Sequence, residues 1–369
     1  MVSSTHPFKK FFLLSFFLLF FFLSPFNPQI ENSSGQENIF LPREHSLILV
    51  GDIMLSRGVD LYMKKEGYLY PFKNIANTTD SAEITFGNLE SPISKRGMKG
   101  DQIYAFRGNP ESIKGLKYAG FKVLNLANNH SYDYGRKAFE ETLKLLKQNN
   151  FQIIGAGENI REARKPAIFD LGDLKIAFLG YDFSPGAVYA GKDSPGVAKI
   201  KSSWIIEDIE KVKKDADLVI VSFHWGIEYD DFPAEYQKSL AHMVIDCGAD
   251  IVVGHHPHTF QGIELYKGKL IAYSLGNFIF DQKDLKNNQS IILKVTLHGK
   301  NLFQAEIIPI ELVTFPRSPK IAEGKMAQGI LNRLNLDSSI FGMELIFFEG
   351  RGFIQFPEGS PKNYNSWEE

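Results

Sequence analysis

The chain has 369 residues, 44% of them apolar, enough to bury a real core as one large domain or as a domain with appendages. A formal net charge of -2 leaves no electrostatic footprint for nucleic acid, and a single cysteine, Cys247, excludes a disulfide framework within the chain.

Lys9 and Lys10 precede an apolar run, residues 11–23, interrupted only by Ser15. The run is short of the about 20 residues a spanning helix needs and suits the core of a signal peptide. Ser24-Pro25-Phe26-Asn27-Pro28 offers no clean small-x-small cleavage site, so residues 1–26 read as a signal peptide or an uncleaved membrane anchor. Either puts the rest of the protein outside the cytoplasmic membrane. No cysteine lies near the run, which excludes a lipoprotein anchor. Residues 27–45, with Asn32-Ser33-Ser34-Gly35-Gln36-Glu37-Asn38, read as a polar linker.

Folding is expected to begin with a buried strand at 47–50 that runs into Gly51-Asp52. Strands are predicted at 84–86, 123–127, 218–223 and 251–253, and helices at 110–119, 137–148, 205–214 and 233–247. The last helix has Pro233 placed for its first turn and Tyr236, Leu240, Met243, Val244 and Cys247 on one stripe; Cys247 reads as a small core residue. Hairpins are predicted for 167–169 with 175–181, 263–266 with 270–274, and 291–297 with 303–312. Alternating strands and helices with added hairpins imply an α/β domain over 46–316 that carries both parallel and antiparallel pairs. Residues 317–369, helical at 327–334 and strand-like at 343–348, read as a C-terminal extension packed on that domain and frayed from 360.

Five predicted strands end in polar residues of a metal-binding kind: Asp52, Glu90, Asn129 with His130, His224, and Gly254-His255-His256-Pro257-His258. An isolated Asp after a strand is usually a helix cap, and an isolated His a half-buried ring. Five such endings argue for a shared metal site, because ligands in open α/β sheets gather at the carboxyl ends of strands. In the last of them Gly254 permits a sharp exit, Pro257 fixes the backbone between His256 and His258, and a His-x-His pair can aim two ring nitrogens at one centre.

Gly51-Asp52-Ile53-Met54-Leu55, Gly87-Asn88-Leu89-Glu90, the stretch from Leu126 through Asn128-Asn129-His130 to Gly135, His224-Trp225-Gly226-Ile227-Glu228-Tyr229, Gly254-His255-His256-Pro257-His258 and Ser274-Leu275-Gly276-Asn277-Phe278 resemble, in order, the motifs of the CapA (PgsA-like) poly-γ-glutamate capsule synthesis family. That family is itself similar to the calcineurin-like metallophosphoesterases. The resemblance implies a four-layer metallophosphoesterase-like fold, two mixed β-sheets flanked by helices, with a dinuclear-type site. It makes Asp52 a first-metal ligand, Glu90 the bridging carboxylate, Asn129 and His224 ligands of the second metal, His130 the proton donor, and His256 and His258 the closing pair, with His255 the alternative to His256. Two departures stand out. Met54 occupies a position where phosphoesterases usually carry His, and Glu90 replaces the usual Asp; one firm and one weak metal position are therefore expected.

The cofactor implied is a divalent metal, manganese, zinc or iron, as one or two ions. Asp133 is placed to orient His130, and Glu228 to serve as base or further ligand, or to be a solvated loop acid. Arg107 is a candidate for holding an anionic substrate and Asn277 for lining the site, with cap and turn roles as the alternatives. The implied substrate or partner is a polyanionic, poly-γ-glutamate-like polymer, together with membrane synthesis or export partners and no nucleic acid. Two functions fit: a metal-dependent hydrolase, or a non-catalytic polymer-binding component of the same apparatus. No Walker-type phosphate loop is present, so the chain should not itself activate glutamate with ATP.

Overall fold

A computed structural model describes residues 42–282, 288–312 and 318–357. The expected targeting segment at 1–26, the linker up to residue 41 and the expected frayed end from 360 lie outside them. Among the described residues no helix is long and apolar enough to cross a membrane.

In chain order the elements are β1 (Glu44–Ile53), α1 (Arg57–Glu66), α2 (Ala76–Thr79), β2 (Ile84–Leu89), α3 (Ile113–Tyr118), β3 (Phe121–Asn125), α4 (Gly135–Gln148), β4 (Gln152–Ile154), β5 (Ala156–Gly157), α5 (Ile160–Ala163), β6 (Ala167–Asp170), β7 (Lys175–Asp182) and β8 (Gly196–Val197). There follow α6 (Ser202–Val212), β9 (Leu218–His224), α7 (Glu235–Asp246), β10 (Ile251–His255), β11 (Ile263–Tyr266), β12 (Lys269–Ala272), β13 (Asn277–Ile279), β14 (Gln289–His298), β15 (Asn301–Leu312), β16 (Pro319–Ile321), α8 (Gly324–Ser339), β17 (Ile346–Phe348) and β18 (Arg351–Gln355). The first sheet runs β17-β18-β15-β14-β1-β2-β3-β4, with β13 also on β1 and β16 on β15. The second runs β11-β12-β10-β9-β7-β6.

Side-chain alternation explains the layering. In β1, Leu47 and Leu49 share a core with Ile176, Phe178, Ile220, Ile251 and Val253 of the second sheet, whereas Ile48 and Val50 point the other way, towards Phe139, Leu143 and Leu146 of α4. In β9, Ile220 faces the inter-sheet core while Val219 and Val221 face Ile205 and Ile209 of α6 and Val244 of α7. A strand buried on both faces reads as an unbroken apolar run, which is what these segments show in the sequence. The result is helix, sheet, sheet, helix, each fully buried aliphatic contributing about 1.5–3 kcal/mol. Both sheets mix parallel and antiparallel pairs, with β1-β2-β3 and β7-β9-β10-β12 parallel. Their carboxyl ends carry the polar residues.

The C-terminal extension is integral to the sandwich. α8 buries Ala327, Ile330, Leu331 and Leu334 in the inter-sheet core, and β18 pairs with β15. Three local expectations change. β1 begins at Glu44 and takes in the last two residues assigned to the linker. α7 begins at Glu235 with Ala234 as its cap, so Pro233 lies before the helix and not in its first turn; the Gln237 side chain accepts the Ala234 N–H at 2.9 Å. The buried stripe of α7 is Gln237, Ala241, Val244 and Ile245, while Tyr236 is exposed and Cys247 is half-buried against the outer core.

Candidate metal centre

Close backbone approach sets the floor of the site. A Cβ on Gly51 would lie 1.8 Å from Gly276 O, and one on Gly254 would lie 1.8 Å from Tyr273 O. Their bareness lets the strand ends meet, and Asp52 N–H donates to Gly276 O at 2.9 Å. The sharp exit after β10 is made not by Gly254 but by His256, at φ 98°, with His258 at φ 58°. Left-handed backbone at a non-glycine residue costs on the order of 1 kcal/mol or more, so both turns depend on surrounding contacts.

Glu90, just past β2, stands at the centre. It is fully buried and neither carboxylate oxygen has a hydrogen-bond partner. Its Oε1 lies 3.7 Å from His258 Nε2 and 3.9 Å from both His130 Nε2 and His224 Nε2. These separations are too long for hydrogen bonds, yet donors that share one ion at about 2.0–2.3 Å stand about 3–4 Å apart. Two groups of three have their ligand atoms within 4.8 Å of one another: Glu90, His224 and His256, and Asp52, Glu90 and His258. Glu90 belongs to both. Asn129 Oδ1 lies 2.9 Å from His224 Nε2, on the side of the first group.

The electrostatics fit a cation. Burial raises the Glu90 carboxyl well above its usual range, and Asp52, Glu228 and Asp133 push it further the same way. Burial works in the same direction on Asp52, but the neighbouring His255 and His258 outweigh it and hold that carboxyl well below the usual carboxylate range. Burial and the neighbouring His256 depress His224; burial and His258 bring His256 down to about 3. Neutral imidazoles keep a lone pair to offer an ion. The orphaned Glu90 oxygens, the neutral rings and the distances together fit a divalent metal.

Other residues singled out in the sequence lie around this core. His130 Nδ1 lies 2.8 Å from Asp133 Oδ2, and Asp133 also accepts Phe106 N–H at 2.6 Å and Gln102 Nε2 at 2.7 Å. The Phe106 ring covers His130 with centroids 4.1 Å apart. His255 stays in β10 behind Asp52; its Nδ1 is 3.3 Å from Asp52 Oδ1 but not aligned to hydrogen bond, and it joins neither three-residue group. Met54 is fully buried in the outer core and its sulfur accepts Ser56 N–H at 3.1 Å, yet the Asp52, Glu90, His258 position still has three donors.

Two residues expected to contact substrate have protein partners of their own. Asn277 is fully buried beside His258: its Oδ1 is 3.0 Å from His258 Nδ1 and its Nδ2 donates to His258 O at 3.1 Å, so it fixes the orientation of that ring. The Arg107 guanidinium lies 4.1 Å over the Tyr134 ring and donates to Arg96 O at 3.3 Å. The arginine beside the cleft is Arg57, ion-paired with Asp281 and lying over Phe106 at 4.8 Å and Phe280 at 5.8 Å. Glu228 sits on an exposed loop, close enough to act on Glu90 through charge.

Sequence reasoning also missed an amide network under the ligands. Asn88 Nδ2 donates to Asp52 Oδ1 at 2.9 Å and faces His224 Nδ1 at 3.3 Å, while Asn88 Oδ1 accepts Asn125 Nδ2 at 3.0 Å and Asn128 Nδ2 at 3.3 Å. A buried asparagine in an otherwise apolar strand was the available signal.

Residues 46–282 match the family described as bacterial capsule synthesis protein PGA_cap. Similar proteins include a capsule biosynthesis protein CapA from Bacillus anthracis, 35% identical over 277 residues that cover 72% of this chain and 67% of the relative. The PGA biosynthesis protein CapA of Bacillus subtilis is 36% identical over 298 residues, 80% of this chain and 78% of its own. Among solved structures, an NAD nucleotidase from Haemophilus influenzae aligns with 79% of this chain and 56% of its own at 12% identity, with a TM-score of 0.42.

Proposed function

The chain belongs to the bacterial capsule synthesis protein family, and from that premise we propose that it is an extracytoplasmic component of poly-γ-glutamate synthesis or export that hydrolyses its polymer at a two-position divalent metal centre. The single observation that carries the metal-dependent part is Glu90, whose two oxygens are buried and unpartnered and whose Oε1 stands among three imidazole nitrogens at 3.7–3.9 Å. The apolar run at 11–23 supports the extracytoplasmic location.

Asp52, Glu90 and His258 would hold one ion, and Glu90, His224 and His256, with Asn129, the other. A bound divalent ion supplies Lewis acidity to a carbonyl or phosphoryl oxygen. The rest is done by this chain's own groups. Asp133, 2.8 Å from His130 Nδ1, fixes the ring so that Nε2 faces the cleft, where it can carry a proton to a departing nitrogen or oxygen. Phe106 over that ring keeps bulk water from its face. Asn277 accepts from His258 Nδ1, which leaves the Nε2 lone pair for an ion. Glu228, on the exposed rim, is the group available to accept a proton from solvent-side water.

The test is incubation of the full chain, loaded with manganese, zinc or iron, with poly-γ-glutamate, the polymer length being followed by electrophoresis. Shortening is expected, with a loss of about 10²–10⁴ in rate for His130→Ala and retention of its metal. Metal bound stoichiometrically with no shortening would overturn the hydrolase and leave a polymer-binding component.

A further inference from the structure

Arg333 lies on α8, beyond the family-matched residues, yet it reaches the histidine loop. Ile330 and Leu334 anchor that helix in the inter-sheet core, which fixes where the arginine stands. Its guanidinium lies 4.1 Å over the Phe260 ring. Nη2 donates to Thr259 Oγ1 at 2.5 Å, to Phe260 O at 3.3 Å and to Asp231 Oδ1 at 3.0 Å, and Nε is 3.6 Å from Asp337 Oδ2. Thr259 is fully buried and directly follows His258. Asp231 belongs to the loop that carries Glu228 and Tyr229. That loop is tied to the histidine loop a second and third time, by Tyr229 N–H to Pro257 O at 2.8 Å and Gln261 Nε2 to Asp230 O at 2.9 Å.

Among the described residues, four of the seven non-glycine residues with positive φ, Arg57, Tyr229, His256 and His258, stand around the cleft. Such backbone persists only where its surroundings over-determine it. Ser274 Oγ, donating to Thr259 O at 2.7 Å, and Asn277 hold one side of the histidine loop. Arg333 holds the other, and it joins that loop, the Glu228 loop and the C-terminal helix through one group. A lysine cannot reproduce a planar fork that also stacks on Phe260.

We propose that Arg333 is a positioning residue: the C-terminal helix, through its guanidinium, holds Thr259 and thereby keeps His258 aimed at the Asp52, Glu90, His258 metal position. This rests on the two-position reading of the centre. The other position depends less on Arg333, because the His256 backbone is held separately through its N–H to Asp52 Oδ2 at 3.4 Å.

The test is calorimetric titration of the full, metal-stripped chain with manganese. Wild type should show two binding events, one abolished by His258→Ala and the other by His224→Ala. Arg333→Gln should weaken the first about tenfold and move the second less than about twofold. Arg333→Lys should not restore it. Thr259→Val, which removes only the hydroxyl acceptor, should weaken the same event, and it decides the matter if Arg333→Gln fails to fold. Unchanged affinities in both variants, or equal weakening of both events, would overturn the proposal. Absence of manganese binding by wild type would overturn the metal reading itself and this inference with it.

Discussion

Glu90→Met separates what the buried carboxylate costs from what it is kept for. In the metal-free chain both oxygens are buried without partners, and burial and the charges of Asp52, Glu228 and Asp133 all oppose ionisation. A buried polar group left unsatisfied costs about 1–3 kcal/mol, and methionine offers similar length without it, so the variant should be about 2 kcal/mol more stable than wild type in chelator. Manganese at a hundredfold excess over its dissociation constant stabilises the native state by about 2.7 kcal/mol per ion. Both positions use Glu90, so the variant forfeits about 5 kcal/mol of that and should be about 3 kcal/mol less stable than wild type once metal is present. Urea unfolding followed by fluorescence reads this directly, since Trp225 is fully buried next to His224. A variant less stable than wild type in chelator, or one that keeps the metal-induced gain, would refute the reasoning.

Asn88→Leu removes the amide that spans Asp52, His224, Asn125 and Asn128, and should weaken manganese binding about 10–100-fold in a titration while the fold persists by circular dichroism. Arg107→Ala should leave both metal binding and polymer binding at wild-type values in the same titration and in a co-sedimentation assay, because its guanidinium is committed to Tyr134 and Arg96. Asp182, at the end of β7, is raised by burial from 3.8 to about 7 against the lowering effect of Ser184 and Tyr189. Its protonated form is the stabilising one, so its contribution is full below about pH 4 and is lost as pH rises through about 7, a matter of roughly 2–4 kcal/mol. Asp182→Asn should flatten that part of the stability profile, measured by urea unfolding between pH 5 and pH 8.

The central strands β1, β2, β3, β9 and β10 were legible because each lies between two cores and shows as an apolar run, whereas the short strands β4, β13, β16 and β18 carry no such run and were not expected. Asp52, Glu90, His224, His256 and His258 were legible for the complementary reason, being polar residues where such runs stop. The partners of Arg107 and Asn277 were not legible, because the direction of a side chain is set by tertiary neighbours: Arg107 lies over Tyr134, and Asn277 pairs with His258. Pro233 looked like a first-turn residue, but Gln237 reaching back to Ala234 starts α7 two residues later. Arg57 and Arg333 could not be found locally, since their partners Asp281 and Thr259 lie 224 and 74 positions away. Met54 suggested a depleted metal position; Asp52, Glu90 and His258 nonetheless lie close enough together to offer three donors there.

Anomalous diffraction from crystals soaked in manganese tests the shared centre most directly. Two peaks are expected, on either side of Glu90 and each about 2.0–2.3 Å from one of its oxygens, with His258 at one and His224 with His256 at the other. No peak in the cleft, or peaks that leave both Glu90 oxygens uncoordinated, would contradict it.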